Sequence, residues 1–247
     1  MPLSESGPRE DAEPVTGTLP AAVFWDMDGT LVDTEPYWIN AEHAIVEEAG
    51  GVWSDEYAHQ LVGNDLMVSA EFIRDNSPVA LEPLEIIDEL LRRVIAQVSD
   101  HVPWRPGAVE LLTALRESGV PNALVTMSWR SLADAVVTAL PEETFAAVVT
   151  GDEVEHGKPH PEPYLAAARA LGVTVGDCIA IEDSPTGVRS AVSAGVPTLA
   201  VPHVVPVPSM AGAVQVPSLR GLEPRDLRAL FDGATRRPGS PGPRRLG

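Results

Sequence analysis

The chain has 247 residues, 44% of them hydrophobic, and carries 36 acidic against 17 basic side chains, a formal charge of −19. That length holds one large or two small domains with a sizeable buried core, and the charge argues against nucleic acid and acidic membrane surfaces as partners. No apolar run approaches the ~20 residues of a membrane span, residues 1–20 lack the basic start and apolar centre of a secretory signal, and the single Cys178 forbids an internal disulfide, so a cytoplasmic location is expected.

Residues 1–18 are rich in Pro and Gly, a composition that predicts a disordered tail. The run Ala21-Ala22-Val23-Phe24-Trp25 reads as a short buried strand. It ends in Asp26-Met27-Asp28-Gly29-Thr30. Two carboxylates two residues apart at a strand end share a face and repel, so a site that holds them also holds a cation. The next eighty or so residues read as helices, near 36–49, 55–61, 66–76 and 83–98. Leu84, Ile87, Leu91, Val94 and Ile95 form an apolar helical stripe suited to a bundle. Trp104-Arg105-Pro106-Gly107 is a turn-rich point of return. Beyond it, apolar strands at 122–126, 146–149, 178–182 and 197–201 alternate with helical patterns at 107–118, 130–140, 161–171 and 186–194. This alternation predicts an α/β fold with a doubly wound parallel sheet. A catalytic core of 19–33 and 104–235 would carry an inserted helical domain, 34–103. Residues 236–247, again rich in Pro and Gly, are expected to be a disordered tail.

Four chemically suggestive clusters fall at strand ends or the loops beside them, where parallel sheets place ligands. They are Asp26/Asp28, Thr126 after Ala123-Leu124-Val125, Lys158 in Gly157-Lys158-Pro159-His160-Pro161, and Glu182-Asp183 after Cys178-Ile179-Ala180-Ile181. Lys158 is the only lysine among 17 basic residues, and a lone exception to arginine invites a chemical explanation. Each cluster has a blander reading: a solvated turn, a strand cap, a surface loop, or a charge pair at a helix N-terminus. An EF-hand is excluded because no run of ligands leads to a glutamate at the twelfth position.

The order and spacing of the four clusters resemble the four motifs of the haloacid dehalogenase (HAD) superfamily, across residues 21–232. The resemblance implies that Asp26 is the nucleophile that forms an aspartyl phosphate. Asp28 would protonate the leaving alcohol and then activate water. Thr126 would donate its hydroxyl to a phosphate oxygen, and Lys158 would neutralise the phosphate and keep Asp26 ionised. Mg²⁺ would be held by Asp26, the Asp28 carbonyl, Glu182 and Asp183. The helical insertion is similar to the C1-type cap of the β-phosphoglucomutase-like branch. Asp33-Thr34-Glu35-Pro36-Tyr37-Trp38 resembles the opening of that branch's sugar-phosphate phosphatases, and Leu61-Val62-Gly63-Asn64-Asp65-Leu66 resembles its substrate-contacting cap loop. The mutase pattern has an arginine soon after this glycine, where Asn64, Asp65 and Leu66 stand. Trp38 replaces the mutase's histidine. A Mg²⁺-dependent phosphatase acting on a small phosphorylated sugar or polyol is therefore expected, as a monomer or weak homo-oligomer, with a β-phosphoglucomutase as the alternative.

Other residues carry weaker signals. Ser128 reads as a helix cap rather than a phosphate contact, and Trp129 and Arg130 as residues bordering the entrance. His160 reads as structural, and His43, His59, His101, His156 and His203 show no ligand spacing. Trp25 and Cys178 read as core. Among the cap's arginines, Arg74, Arg92 and Arg93, only Arg74 stands near enough in sequence to the cap loop to serve it.

Overall fold

The structure, a computed structural model, describes residues 18–61 and 65–235. The tails expected at either end and the residues Val62, Gly63 and Asn64 of the cap loop lie outside the described residues. Six parallel strands form one sheet: β1 (Val23–Trp25), β2 (Asn122–Val125), β3 (Ala147–Val149), β4 (Ile179–Glu182), β5 (Thr198–Ala200) and β6 (Ala213–Gln215), in the order β3-β2-β1-β4-β5-β6. Strands β1, β2, β4 and β5 are buried throughout. That is why they read as continuous apolar runs rather than alternating ones. The chain winds outward from β1 through β2 to β3, then crosses to β4 on the other side. β1 is thus the switch point, where ligands of open parallel sheets bind. Its partners set the register: Trp25 lies opposite Leu124 and Ile181. Asp26, Thr126 and Glu182 therefore arrive together at one edge.

Helices α1 (Glu35–Glu48), α2 (Asp55–Leu61), α3 (Leu66–Asn76) and α4 (Pro83–Asp100) form the helical cap inserted after β1. Helix α4 organises it. Pro83 and a reciprocal capping box between Glu82 and Glu85 fix its start, satisfying donors that would otherwise be free. Ile86, Ile87, Leu90, Leu91, Val94 and Val98 recur at helical spacing and are buried. They pack α4 against α1 and α3, and also against α6 (Arg130–Thr138) of the core. Trp53, Tyr57 and Phe72 meet in a cluster of tilted and edge-on rings. The outgoing and returning chains run side by side. Val32 bridges Trp104, the Asp33 amide donates to the Pro103 carbonyl at 2.8 Å, and the Arg105 amide donates to Leu31 at 2.9 Å.

The remaining helices, α5 (Ala108–Glu117), α7 (Glu162–Leu171), α8 (Pro185–Ser193) and α9 (Pro224–Thr235), flank the sheet. Strand β6 and helix α9 were not expected. Ala213-Val214-Gln215 is only partly buried, at the sheet edge, and so lacks the apolar run that marks the inner strands. Thr126 lies just beyond β2 rather than within it.

Trp25 is core, but it has a polar partner. Its indole Nε1 donates to Asn122 Oδ1 at 2.9 Å, and both residues are buried. Trp25→Phe removes the donor and leaves that amide oxygen unpaired. An unmet buried acceptor costs about 1–3 kcal/mol, and lost volume adds to it. Urea unfolding should show at least that loss, and an unchanged midpoint would contradict it.

Candidate active site

The Lys158 ammonium stands at the centre. Its side chain is 4% exposed, and Nζ donates to Asp26 Oδ1 at 2.7 Å, Glu182 Oε1 at 2.6 Å and the Val125 carbonyl at 2.8 Å. Burial opposes its charge, but Asp26 and Glu182 outweigh burial and hold the ammonium firmly protonated. Tyr164 from α7 completes the arrangement by donating its hydroxyl to Glu182 Oε1 at 2.5 Å. Burial and the same carboxylates raise the Tyr164 phenol well above its ordinary range, so it remains a donor.

Asp28 points to the other side. Its Oδ1 accepts from Thr34 Oγ1 at 2.5 Å, and its Oδ2 accepts from Ser128 Oγ at 2.7 Å and Thr126 Oγ1 at 3.3 Å. Burial raises its carboxyl, with a smaller push from the Asp26 charge. The Thr34 and Ser128 hydroxyls pull it back in part by stabilising the carboxylate, and a buried carboxyl so raised and so oriented suits acid–base work. Ser128 therefore differs from expectation. Helix α6 starts at Arg130 without a side-chain cap, and the Ser128 hydroxyl is turned to Asp28. Trp129 and Arg130 do not border the cavity either. Trp129 packs on the core, while Arg130 pairs with Glu153 at 2.5 Å and donates to the Val148 carbonyl.

Asp183 follows β4 and sits against Gly29. Gly29 has φ +86°, and a Cβ there would lie 2.1 Å from Asp183 Oδ2. The Asp-x-Asp-Gly sequence thus needs its glycine both for the turn and for this approach. Asp26, Glu182 and Asp183 each offer an oxygen within 4.8 Å of the others. Asp26 Oδ2 is buried without a hydrogen-bond partner. Burial, reinforced by Asp26 and Glu182, lifts the Asp183 carboxyl to about 9, and burial with Asp26 lifts Glu182 to about 7. One ammonium does not satisfy this many carboxyls. An all-oxygen donor set with an orphaned buried oxygen fits a hard divalent cation.

These groups open into a cavity of about 550 Å³ between core and cap. Its core side includes Asp26, Asp28, Thr126, Ser128, Lys158, Asp183, Arg189 and His203, and its cap side Glu35, Trp38, Glu42, Asp65 and Ser69. All six expected site residues meet in this region, five lining the cavity and Glu182 fully buried behind them. Tyr164, Glu42 and Arg189 escaped the sequence reading of the site, and Thr34 and Glu35 were quoted there without a role. Their signal is the stretch 33–38, which begins three residues after Thr30, the end of the first motif. Four histidines have acidic neighbours in the fold, and His43 lies 3.5 Å from Asp55 and 3.8 Å from Glu47. His203 Nε2 lies 3.0 Å from Asp33 Oδ1, and His156 and His160 gather around Glu162 on the exposed side of the Lys158 loop. Arg74 pairs with Asp75 at 3.0 Å and does not line the cavity.

Known proteins share both sequence and fold with this chain. Hexitol phosphatase B of Escherichia coli K12 is 31% identical over 188 residues, 74% of this chain and 83% of the relative. The crystal structure of a CbbY mutant from Rhodobacter sphaeroides, in complex with xylulose-(1,5)bisphosphate, is 26% identical and superposes with a TM-score of 0.77 over 85% of this chain and 99% of that one. The β-phosphoglucomutase of Clostridium difficile, at 21% identity, shares the fold with a TM-score of 0.72 over 89% of this chain and 100% of its own. The model of the haloacid dehalogenase-like hydrolases matches residues 23–201, the span that carries Asp26, Asp28, Thr126, Lys158 and Glu182-Asp183, and the chain belongs to that family.

Proposed function

We propose that the chain is a Mg²⁺-dependent phosphomonoesterase that hydrolyses small phosphorylated sugars or polyols through an aspartyl phosphate on Asp26. The observation that carries this reading is the division of labour between two aspartates two residues apart. Asp26 is ion-paired to Lys158, while Asp28 has no cationic partner, is oriented by hydroxyls and has its carboxyl raised by burial. The Asp26 carboxylate attacks phosphorus, the bond to the ester oxygen breaks, and Asp28 gives its proton to the departing alkoxide. Water then attacks the acyl phosphate, Asp28 takes the water's proton, and inorganic phosphate leaves with Asp26 restored. Lys158 neutralises negative charge beside the transferring group, and Thr126 offers its hydroxyl at the same edge. Bound among Asp26, Asp28, Glu182 and Asp183, Mg²⁺ would screen those carboxylates from a dianionic phosphate and polarise it. The Glu182 oxygen that faces Lys158 and Tyr164 is already engaged, so this residue also fixes the ammonium.

A phosphatase fits the cap better than a mutase does. A mutase must clamp the distal phosphate of a bisphosphate in two orientations, and a cationic fork serves that task. Arg74 pairs with Asp75, Arg92 with Glu89 at 2.6 Å, and Arg93 with Glu48 and Glu89 at 2.6 Å. None of the three lines the cavity. The 31% identity to a hexitol phosphatase supports the same reading.

Asp26→Asn should abolish turnover of phosphate esters while thermal unfolding stays near the wild type. Asp28→Asn should lower turnover about 10²–10⁴-fold, the usual worth of a general acid–base group. Full steady-state activity in either variant would remove that residue from the mechanism.

Metal affinity should depend on pH in one direction. Asp183 and Glu182 have raised carboxyls, near 9 and 7, and must release protons before they can hold a cation. Apparent Mg²⁺ affinity should climb from pH 6 to about pH 9 and then level off. Calorimetry in two buffers of different ionisation heat should register the released protons, whereas a flat affinity over that range would refute the donor set.

With β-glucose 1-phosphate and catalytic bisphosphate, a coupled assay should detect inorganic phosphate without matching glucose 6-phosphate. Glucose 6-phosphate formed orders of magnitude faster than phosphate would establish the mutase instead.

A further inference from the structure

The far wall of the cavity is acidic, and one of its acids is buried. Glu42 is 5% exposed, yet it borders the cavity. Its Oε2 accepts from Trp53 Nε1 at 3.1 Å. Trp53 is itself 3% exposed and is wedged against Tyr57 and Phe72. The carboxyl is therefore aimed by a rigid aromatic group rather than by a counter-ion, and no ion pair reaches it among the described residues. Glu35 lies seven residues earlier on α1, two turns away on the same face, and borders the same cavity. Ser69 of α3, 6% exposed, adds a hydroxyl to the same cap-side lining.

A buried polar group with unused bonding capacity beside a ligand cavity calls for a ligand that completes it. Burial, with Glu35 adding to it, lifts Glu42 to about 8. Burial, with the charges of Asp28 and Asp33, lifts Glu35 to about 7. Near neutral pH these carboxyls hold protons for much of the time, and a protonated carboxyl both donates and accepts. That is the complement of a sugar or polyol hydroxyl. A second phosphate would instead find no lysine or arginine among the described residues of this wall, and its charge would be buried against acids without a cation to offset it. Arg189, the one arginine bordering the cavity among the described residues, is exposed and belongs to the core helix α8 rather than to the cap.

We propose that Glu42, supported by Glu35 and Ser69, forms a tail subsite that binds the hydroxyls of an uncharged polyol chain and rejects a second phosphate. The inference rests on the phosphomonoesterase reading and narrows it to monophosphates with a hydroxylated, uncharged tail. It separates this chain from the CbbY relative, whose crystal structure holds a bisphosphate.

The test uses the full chain with saturating Mg²⁺ and three esters: sorbitol 6-phosphate, fructose 1,6-bisphosphate, and 2-hydroxyethyl phosphate, which is too short to reach the subsite. The wild type should prefer sorbitol 6-phosphate to the bisphosphate by about 100-fold or more in kcat/KM, since a site built to pair hydroxyls discriminates strongly. Glu42→Leu should raise KM for sorbitol 6-phosphate about tenfold, the worth of one well-placed hydrogen bond, and leave 2-hydroxyethyl phosphate unchanged. Glu42→Gln, which still donates and accepts, should stay close to the wild type on both. If Glu42→Leu does not fold, Ser69→Val probes the same wall and should show the same tail-dependent rise in KM. Equal losses on the long and short esters, or a wild type that favours the bisphosphate, would overturn the subsite. Turnover of all three esters without regard to the tail would sink the subsite alone, whereas turnover of none would sink the phosphomonoesterase reading and the subsite with it.

Discussion

Three strands of the sheet end on one ammonium. Lys158 Nζ binds the Asp26 carboxylate after β1, the Val125 carbonyl closing β2 and the Glu182 carboxylate closing β4. Burying these charges is costly in isolation, and mutual attraction offsets the cost only when geometry is good and the remaining atoms are bonded. Here the bonds are 2.6–2.8 Å and Tyr164 takes up a further Glu182 lone pair. The atom left over, Asp26 Oδ2, lies where incoming chemistry needs it. A purely structural ion pair would have no reason to leave that oxygen bare.

The rest of the fold serves this point. Parallel pairing of β1 with β2 and β4 brings the ends of the three strands to one edge, and helix α4 ties the cap to the core through α6. The cap is inserted directly after the catalytic turn, with its outgoing and returning chains hydrogen-bonded to one another. Any movement of α1 therefore acts beside Asp28, whose Thr34 hydrogen bond lies on the outgoing chain. Thr34 on the cap side and Thr126 and Ser128 on the core side share the hydrogen-bond network of Asp28.

Much of this was legible in the sequence, for identifiable reasons. Inner parallel strands are buried on both faces, so Val23-Phe24-Trp25 and Ile179-Ala180-Ile181 announce themselves as apolar runs. Residues at their ends inherit a location without any knowledge of side-chain packing. Strand β6 did not, because an edge strand of three residues with Gln215 exposed has no such pattern. Ser128 was misread because a serine before a helix is usually a cap, and only the three-dimensional approach of Asp28 turns its hydroxyl elsewhere. Tyr164 sits on the buried face of α7 and looks like any core aromatic until its hydroxyl is seen on Glu182. Glu42 is the hardest case. On a helix rich in acids it reads as solvated, and its burial depends on Trp53, eleven residues away on the far side of a turn.

The acidity of the chain then takes on a local meaning. A net charge of −19 repels a phosphate ester in general, but at physiological ionic strength charges beyond about 8 Å are largely screened. What a bound phosphoryl group experiences is its immediate surroundings, with Lys158 and the cation favoured by Asp26 and Asp183 on one side and Glu35 and Glu42 on the other. Positive charge is confined to one end of the cavity, and raised, partly protonated carboxyls occupy the opposite end. On the proposed reading, such a polarised cavity would fix the direction in which an ester lies, phosphate toward Asp26 and tail toward α1. It would also disfavour the reversed pose that a mutase needs, in which a second phosphate would occupy the tail end. The same lone lysine that stood out among 17 basic residues would thus be one half of the proposed orientation device, and the buried acid beside Trp53 the other.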